Sequence, residues 1–153
     1  MRLMSLLIWG LALLLNSAAA NAETVEAANL RGLKSFDILV EDLSDEAARC
    51  GVTKNKLDTE LLFILGQSGM QLVPRGIDGY VYLQVTVIEG CAAGYSLQVH
   101  TLVTVEKTQR KVVVATIWNQ GGIRSGGNPS VDTLAAVSEL AKLLVVDWNS
   151  VNK

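Results

Sequence analysis

Hydrophobic and polar residues alternate in several stretches of the chain, as they do in strands with one buried face. Residues 35–43 (SFDILVEDL) predict a first strand, and residues 70–74 (MQLVP) predict a short second one. Between them, apolar residues recur at helical spacing over residues 53–69, after a short helical turn at residues 44–50. A strand, a helix and a strand in this order predict a parallel pair of strands with the helix on one face.

Residues 80–118 predict a three-stranded antiparallel meander. The first hairpin sets Glu89 opposite Tyr95 across a GCAAG loop, and the second turns at Thr108 and Gln109. In this register the apolar faces of neighbouring strands match. The predicted pairs are Val87 with Leu97, Val85 with Val99, Leu83 with Thr101, Val99 with Trp118, Val103 with Val114, and Val105 with Val112.

A glycine-rich connection follows Trp118 and leads to a last helix that runs almost to the end of the chain. Asn128 is its predicted cap and Pro129 its first residue. The order of elements is therefore β-α-β-β-β-β-α. It predicts an α+β fold, a two-layer sandwich in which two helices cover one face of a mixed five-stranded sheet and leave the other face open.

The first 22 residues have the features of a signal peptide. Arg2 precedes an apolar run, and a small-residue segment ends at Ala22, after which we expect cleavage. A membrane anchor is the alternative, but the run is shorter than the roughly 20 residues that a bilayer requires. We thus expect a periplasmic or secreted protein with a loose amino-terminal arm at residues 23–34 and a single domain at residues 35–153. No lipidation cysteine follows the cut, so the mature chain should carry no membrane anchor.

Export to an oxidising compartment favours a disulfide between the two cysteines, Cys50 and Cys91. The bond would close a loop of about 41 residues and contribute about 4 kcal/mol to stability by the chain-entropy relation. It would also fasten the tip of the first meander hairpin to the entrance of the first long helix. Two free buried thiols are the alternative.

Charge and composition exclude some classes of function. The formal net charge is −2, and removal of Arg2 with the leader makes it one unit more negative. Since the chain has no basic stripe to neutralise phosphates, we expect no nucleic-acid partner. One histidine and two distant cysteines supply no recognisable metal motif, so neither a metal nor another cofactor is predicted.

The predicted open face of the sheet is more apolar than a solvated face normally is. Its candidate interaction residues are Tyr80, Tyr82, Leu102 and Ile117. We expect them to contact a partner protein or a second copy of the chain, unless the amino-terminal arm covers them. Further members of this predicted face are Ile88, Val113, Ala115, and His100 opposite Gln84.

Two residues could carry chemistry of their own. His100, the only histidine, is predicted to lie beside Gln84, Gln98 and Ile117, which is the setting of a surface histidine rather than of a general base. Arg124 lies in the glycine-rich segment 121–129 before the last helix, where backbone amides could attract an anionic ligand. This segment matches no nucleotide-binding fingerprint.

The element order from Ser35 to Trp148, with the local sequences CGVT at Cys50 and VDW at Trp148, resembles the periplasmic domains of envelope assembly factors, such as the amino-terminal domain of TolB and the LptE-like and CsgG-like proteins. The resemblance implies a non-enzymatic binding or accessory protein of the envelope. Two alternatives are an enzyme with a site at residues 121–129 and a secreted inhibitor or ligand carrier.

Overall fold

A computed structural model describes residues 24–76, 78–106 and 111–153. The predicted signal peptide and the predicted turn at Thr108 and Gln109 lie outside these residues. The helices are α1 (Val25–Ala28), α2 (Asp45–Arg49), α3 (Lys54–Gly66) and α4 (Pro129–Asn152). The strands are β1 (Ser35–Val40), β2 (Gln71–Leu72), β3 (Gly79–Val87), β4 (Ala93–Val105) and β5 (Lys111–Arg124), and a 3-10 turn spans Glu89–Cys91.

The five strands form one mixed sheet in the order β2-β1-β3-β4-β5. β1 is parallel to both β2 and β3, whereas β3, β4 and β5 are antiparallel neighbours. Helices α3 and α4 contact each other and the sheet, and their apolar residues join the inward side chains of the strands in one core. The predicted α+β class, with a mixed five-stranded sheet, is therefore confirmed.

The last helix begins as its sequence predicts. Asn128 is the cap residue, its side chain accepts a hydrogen bond from the Val131 amide, and Pro129 opens the helix. The Trp118 indole on β5 donates to Asp147 of α4 over 2.8 Å. This bond fixes the end of α4 against the sheet, so the helix layer is anchored to the outermost strand.

The predicted register of the first hairpin is wrong. Val87 pairs with Ala93 and Leu83 with Leu97, a shift of four residues along β4 from the prediction. The reason is a tighter turn, in which the Ile88 amide donates to the Ala92 carbonyl over 3.0 Å around the 3-10 turn. Because the shift is even, the inward and outward faces of both strands stay as predicted.

The second hairpin contains a β-bulge between Val99 and His100. Val99 pairs with Trp118, as predicted, but His100 pairs with Thr116, so Ile117 has no direct partner on β4. Beyond the bulge each residue of β4 meets the residue one position earlier on β5 than predicted. The predicted pairs of Val103 with Val114 and of Val105 with Val112 are therefore wrong.

Strand lengths also differ from the predictions. β1 ends at Val40 rather than at Leu43, and β2 contains only two residues. β5 instead continues through the predicted glycine-rich connection to Arg124, with Gly121 opposite Ser96 and Gly122 opposite Tyr95. A Cβ on Gly121 would lie 2.5 Å from the Tyr95 carbonyl oxygen, so glycine here permits a close approach of the two strands.

The segment before β1 is not a loose arm. Thr24 caps α1 by accepting from the Ala27 amide over 3.1 Å, and Leu30 is fully buried in the core. Asn152 at the end of α4 donates to the Leu30 carbonyl, and the Trp148 indole donates to the Leu33 carbonyl. The arm therefore packs against α4 and β5 and completes the core instead of covering the open face.

A disulfide joins Cys50, at the end of α2, to Cys91 in the 3-10 turn, in agreement with the pairing predicted from the sequence. Their Cα atoms are 5.7 Å apart. Cys91 has a φ of 62°, a left-handed conformation that is uncommon for a residue with a side chain. The bond thus connects the hairpin turn to the segment that leads into α3.

Loss of this bond should destabilise the domain without changing its fold. We expect the double variant Cys50→Ala/Cys91→Ala to lose about 4 kcal/mol in free energy of unfolding, because the unfolded chain regains the entropy of an open loop. Urea denaturation of the processed protein measures the loss, and reductant should lower the stability of the parent protein but not of the variant. Two alkylatable thiols in the non-reduced, denatured parent protein would contradict the pairing.

Truncation of the buried arm residue tests the packing of the segment before β1. Leu30→Ala should cost about 2 to 5 kcal/mol in free energy of unfolding, as large-to-small changes in a core do. The matched control is Val25→Ala in the same segment, since Val25 is 75% exposed and should cost little. Equal stabilities of the two variants would show that the arm is not part of the core.

Candidate interaction surface

One face of the sheet has no helix over it among the described residues. Inward residues of β3 and β4, such as Val81, Leu83, Leu97 and Val99, are fully buried, whereas the residues that alternate with them are half-buried or exposed. Strand pairing carries this outward face across four strands. Around its centre lie the side chains of Leu39, Tyr80, Tyr82, His100, Leu102, Val112, Val114 and Thr116, and its other outward positions include Gln84, Thr86, Ser96, Gln98 and Thr104.

An aromatic cluster lies at the centre of this face. The ring of His100 stacks on Tyr80, its direct partner on β3, with centroids 4.9 Å apart and planes 8° from parallel. Tyr82 meets the same imidazole edge-on at 5.7 Å. His100 Nε2 lies 2.9 Å from Gln98 Oε1, and Nδ1 lies 3.3 Å from Thr116 Oγ1. Both ring nitrogens therefore have polar partners, which fixes the orientation of the ring.

The cluster favours uncharged side chains. Partial burial lowers the pKa of His100, because the imidazolium ion loses hydration among the two tyrosine rings. Burial also raises the pKa of the Tyr82 hydroxyl, and the carboxylate of Glu41 adds to the effect. At neutral pH the centre of the face is therefore neutral, aromatic and able to form hydrogen bonds.

A pocket of about 300 Å³ lies beside the cluster. Tyr80, Leu39 and Leu102 belong both to the outward face and to the pocket wall, so the two features are continuous. The rest of the described wall comes from the start of β3 and the segment before it. Those residues are Arg75, Gly76, Asp78 and Gly79, together with Asp37 of β1 and Thr101 of β4.

Two carboxylates hold the wall of this pocket in place. Asp78 Oδ2 accepts from the amides of Lys34 and Ser35, each over 2.8 Å, and these backbone hydrogen bonds lower the pKa of Asp78. Asp37 Oδ2 accepts from the Arg75 amide over 2.8 Å, where Arg75 has a left-handed φ of 58°. Each of these carboxylates accepts backbone hydrogen bonds, and these bonds hold the segments that form the pocket wall.

The structure brings three of the four predicted interaction residues together and separates the fourth. Tyr80, Tyr82 and Leu102 share the outward face, with Leu102 68% exposed. Ile117 is the bulge residue and packs against the core, so its predicted place on the open face is wrong. The bulge likewise moves Val113 and Ala115 to the opposite face from the predicted one, since they pair with inward residues of β4.

Other predicted neighbours also change. Gln84 pairs with Ser96 and not with His100, because of the four-residue shift in the first hairpin. Arg124 is the last residue of β5 rather than part of a loop, and its guanidinium donates to Glu139 Oε2 over 3.0 Å. Tyr95 and Glu139 both raise the pKa of Arg124. An anion at this position stays a prediction, and it would compete with Glu139 for the guanidinium.

Three apolar residues of the outward face were missed by the sequence reasoning: Leu39, Val112 and Val114, which are 49%, 63% and 54% exposed. Leu39 alternates out of the core in β1, and its apolar side chain beside Tyr82 was a signal that could have found it. For the two valines no such signal exists, because residues 112–115 (VVVA) are apolar at every position.

The described residues contain one grouping of side chains of the metal-binding type, formed by Glu46, Cys50 and Cys91. The two sulfur atoms are bonded to each other, so they are not available as thiolate ligands. Glu46 forms an ion pair with Arg49. In the disulfide form this grouping is therefore a covalent link with a neighbouring ion pair.

Comparisons with known proteins leave the function open. No family model and no curated protein matches the chain. A solved structure of a minor lipoprotein from Acinetobacter baumannii matches with 15% identity over 80% of this chain and 97% of that one, at a TM-score of 0.33. A likeness of this size says nothing about function. None of the helices in the described ranges is long and apolar enough to cross a bilayer.

The lowered pKa of His100 has a measurable consequence. As the only histidine, it gives one pair of imidazole carbon-bound proton signals in an NMR titration, and we expect their common midpoint below the usual value of about 6.5. Since the pKa of His100 is lower in the folded state than in the unfolded state, its contribution to the free energy of unfolding should be fully present above about pH 6.5 and should be lost as the pH falls through the folded pKa. His100→Gln should lose this pH dependence. A midpoint at or above the usual value would contradict the packed position of the ring.

Proposed function

We propose that this protein is a non-enzymatic accessory or binding protein of the bacterial envelope that engages a partner protein through its uncovered sheet face. The observation that carries the proposal is the composition of that face. Tyrosine, leucine, valine and a neutral histidine occupy positions that charged residues normally take on a solvated sheet. Exported location is part of the proposal, and the predicted leader sequence and the paired cysteines support it.

The face has the physical character of a protein-binding surface. Tyrosine offers a large apolar ring and a hydroxyl at small conformational cost, and it is common at the centre of interfaces. The Tyr80–His100 stack and the Tyr82 contact hold these rings before any partner arrives. The adjoining pocket can take one anchoring side chain of a partner, because its wall includes Leu39, Leu102 and Tyr80.

An enzyme is the alternative function, and two contacts of His100 favour it. The Thr116 hydroxyl, His100 and Gln98 are linked in series, in an order that superficially resembles nucleophile, base and orienting residue. Glutamine carries no negative charge to stabilise an imidazolium ion, and the side chains lie on a sheet face rather than in a cleft. Covalent labelling of Thr116 by a hydroxyl-directed electrophile, located by peptide mass spectrometry, would favour the enzyme over the binding protein.

The binding proposal is tested by site-specific photocrosslinking in cells that produce the protein. A photoreactive phenylalanine analogue at position 82 should crosslink to a discrete partner, because position 82 lies in the centre of the uncovered face. The same analogue at position 143 is the control, since Leu143 is 49% exposed on helix α4. Leu102→Glu should reduce the adduct formed from position 82 by about tenfold, as burial of an unpaired charge in an interface is costly.

Equal crosslinking from positions 82 and 143, or no adduct from position 82, would contradict the proposal. A Leu143→Glu variant shows whether a new surface carboxylate away from the face changes the yield of the adduct formed from position 82. Circular dichroism of each variant establishes that the fold is intact.

A further inference from the structure

Strand β5 forms an edge of the sheet whose outer side has no strand partner among the described residues. An edge strand exposes a row of amide and carbonyl groups, and natural proteins guard such edges with charges, prolines, bulges or a covering segment. Residues 112–123 (VVVATIWNQGGI) contain no charged residue and no proline. Protection of this edge against pairing with another chain therefore depends on the bulge and on helix α1.

Helix α1 covers only the middle of the edge. Asn29 Nδ2 donates to the Ile117 carbonyl over 3.1 Å, and α1 lines a depression with residues 116–119 of β5. On either side of it, two parts of the edge have no covering segment in the described part of the chain: the valine segment 112–115 and the segment 120–123. The latter contains Gly121 and Gly122, which weaken strand pairing, whereas valine favours it.

The hydrogen-bond pattern identifies which backbone groups of the valine segment are free. The Ile88 amide donates to the Ala92 carbonyl, so these two residues form a hydrogen-bonded pair between β3 and β4. Hydrogen-bonded and non-hydrogen-bonded pairs alternate along an antiparallel ladder, so the backbone groups of the even-numbered residues of β4 point towards β3 and those of the odd-numbered residues point towards β5. Thr101 and Val103 therefore exchange hydrogen bonds with Ala115 and Val113. The amide and carbonyl groups of Val112 and Val114 consequently point away from β4, on the side where the described residues provide no neighbouring strand.

We propose that two copies of this chain associate through the valine segment of β5, as antiparallel strands related by a twofold axis. In this arrangement Val113 lies opposite its counterpart, and Val112 lies opposite Val114 of the second copy. Both members of the latter pair have free backbone groups, so each pair forms two hydrogen bonds. The contact joins two five-stranded sheets into one continuous sheet.

The segment is complementary to itself, which favours a second copy over a foreign strand. A twofold axis brings the same patch of both chains together, so a patch must tolerate its own chemistry. The proposed register places valine opposite valine and position 111 opposite position 115, so within residues 111–115 no two charged positions are paired. Exposed valines gain cross-strand contacts on both faces of the sheet: Val112 with Val114 on the outward face, and Val113 with Val113 on the inward face.

The inference is independent of the proposed function, because it uses the edge of the sheet rather than its face. If both hold, the dimer presents two uncovered faces side by side, with Leu102 of each copy close to the shared edge. A partner would then meet a surface twice as wide as that of one chain.

Sedimentation velocity of the processed protein, over a range of concentrations, tests the dimer. The informative variant is Val114→Pro, because proline removes an amide that points away from β4 and leaves the hydrogen bonds between β4 and β5 in place. Val114→Thr is the matched control, since it keeps a β-branched side chain and the free amide. We expect the parent and Val114→Thr to dimerise and Val114→Pro to associate at least about tenfold more weakly.

A second variant, Val114→Lys, guards against misfolding of the proline variant, because a lysine on an edge strand keeps the backbone intact and places like charges close together across the axis. It should also associate at least about tenfold more weakly than the parent protein. A parent protein that stays monomeric at every concentration would overturn the proposal, and so would dimers of both Val114→Pro and Val114→Lys. Loss of the dimer in Leu102→Lys but not in either variant would overturn it in favour of face-to-face packing.

Discussion

The structure depends on one constraint, which is that a single helix layer covers a single side of the sheet. Every strand residue is then assigned either to the core or to the uncovered face by the alternation of the backbone. The bulge at Ile117 reverses this assignment for the first part of β5. It turns Ile117 towards the core and brings Thr116 beside His100, with Val112 and Val114 on the same outward face. The β5 residues of the candidate surface follow from that one irregularity.

Much of the fold was predictable because the strong signals in the sequence are local. The spacing of Leu57, Leu61 and Leu65 marks α3, and all three are buried. Asn128 and Pro129 mark the start of α4. The register of the first hairpin was not predictable by alternation, because a shift of four residues leaves every side chain on the same face. Only the turn geometry around Gly90 and Cys91 distinguishes the two registers, and a glycine-rich loop allows both.

The candidate surface was predictable in part for related reasons. Tyr80, Tyr82 and Leu102 lie in strands with clear alternation, so their face is right even though their partners were wrong. A bulge in β5 has no signature in a stretch that is apolar at nearly every position, so Ile117 was assigned to the wrong side. The arm before β1 was misjudged because a four-residue helix and one buried leucine, Leu30, are too short a pattern for periodicity to detect.

The central claim is that the shifted hairpin and the bulge together place His100 between Tyr80 and Thr116 on the uncovered face. Nuclear Overhauser contacts of the His100 imidazole protons test it most directly, because the sequence holds one histidine and its signals are unambiguous. The account predicts contacts to the ring of Tyr80 and to the methyl group of Thr116. Contacts to Gln84 instead would show the unshifted hairpin, and contacts to Ile117 would show a regular β4–β5 ladder without the bulge; either result would contradict the account.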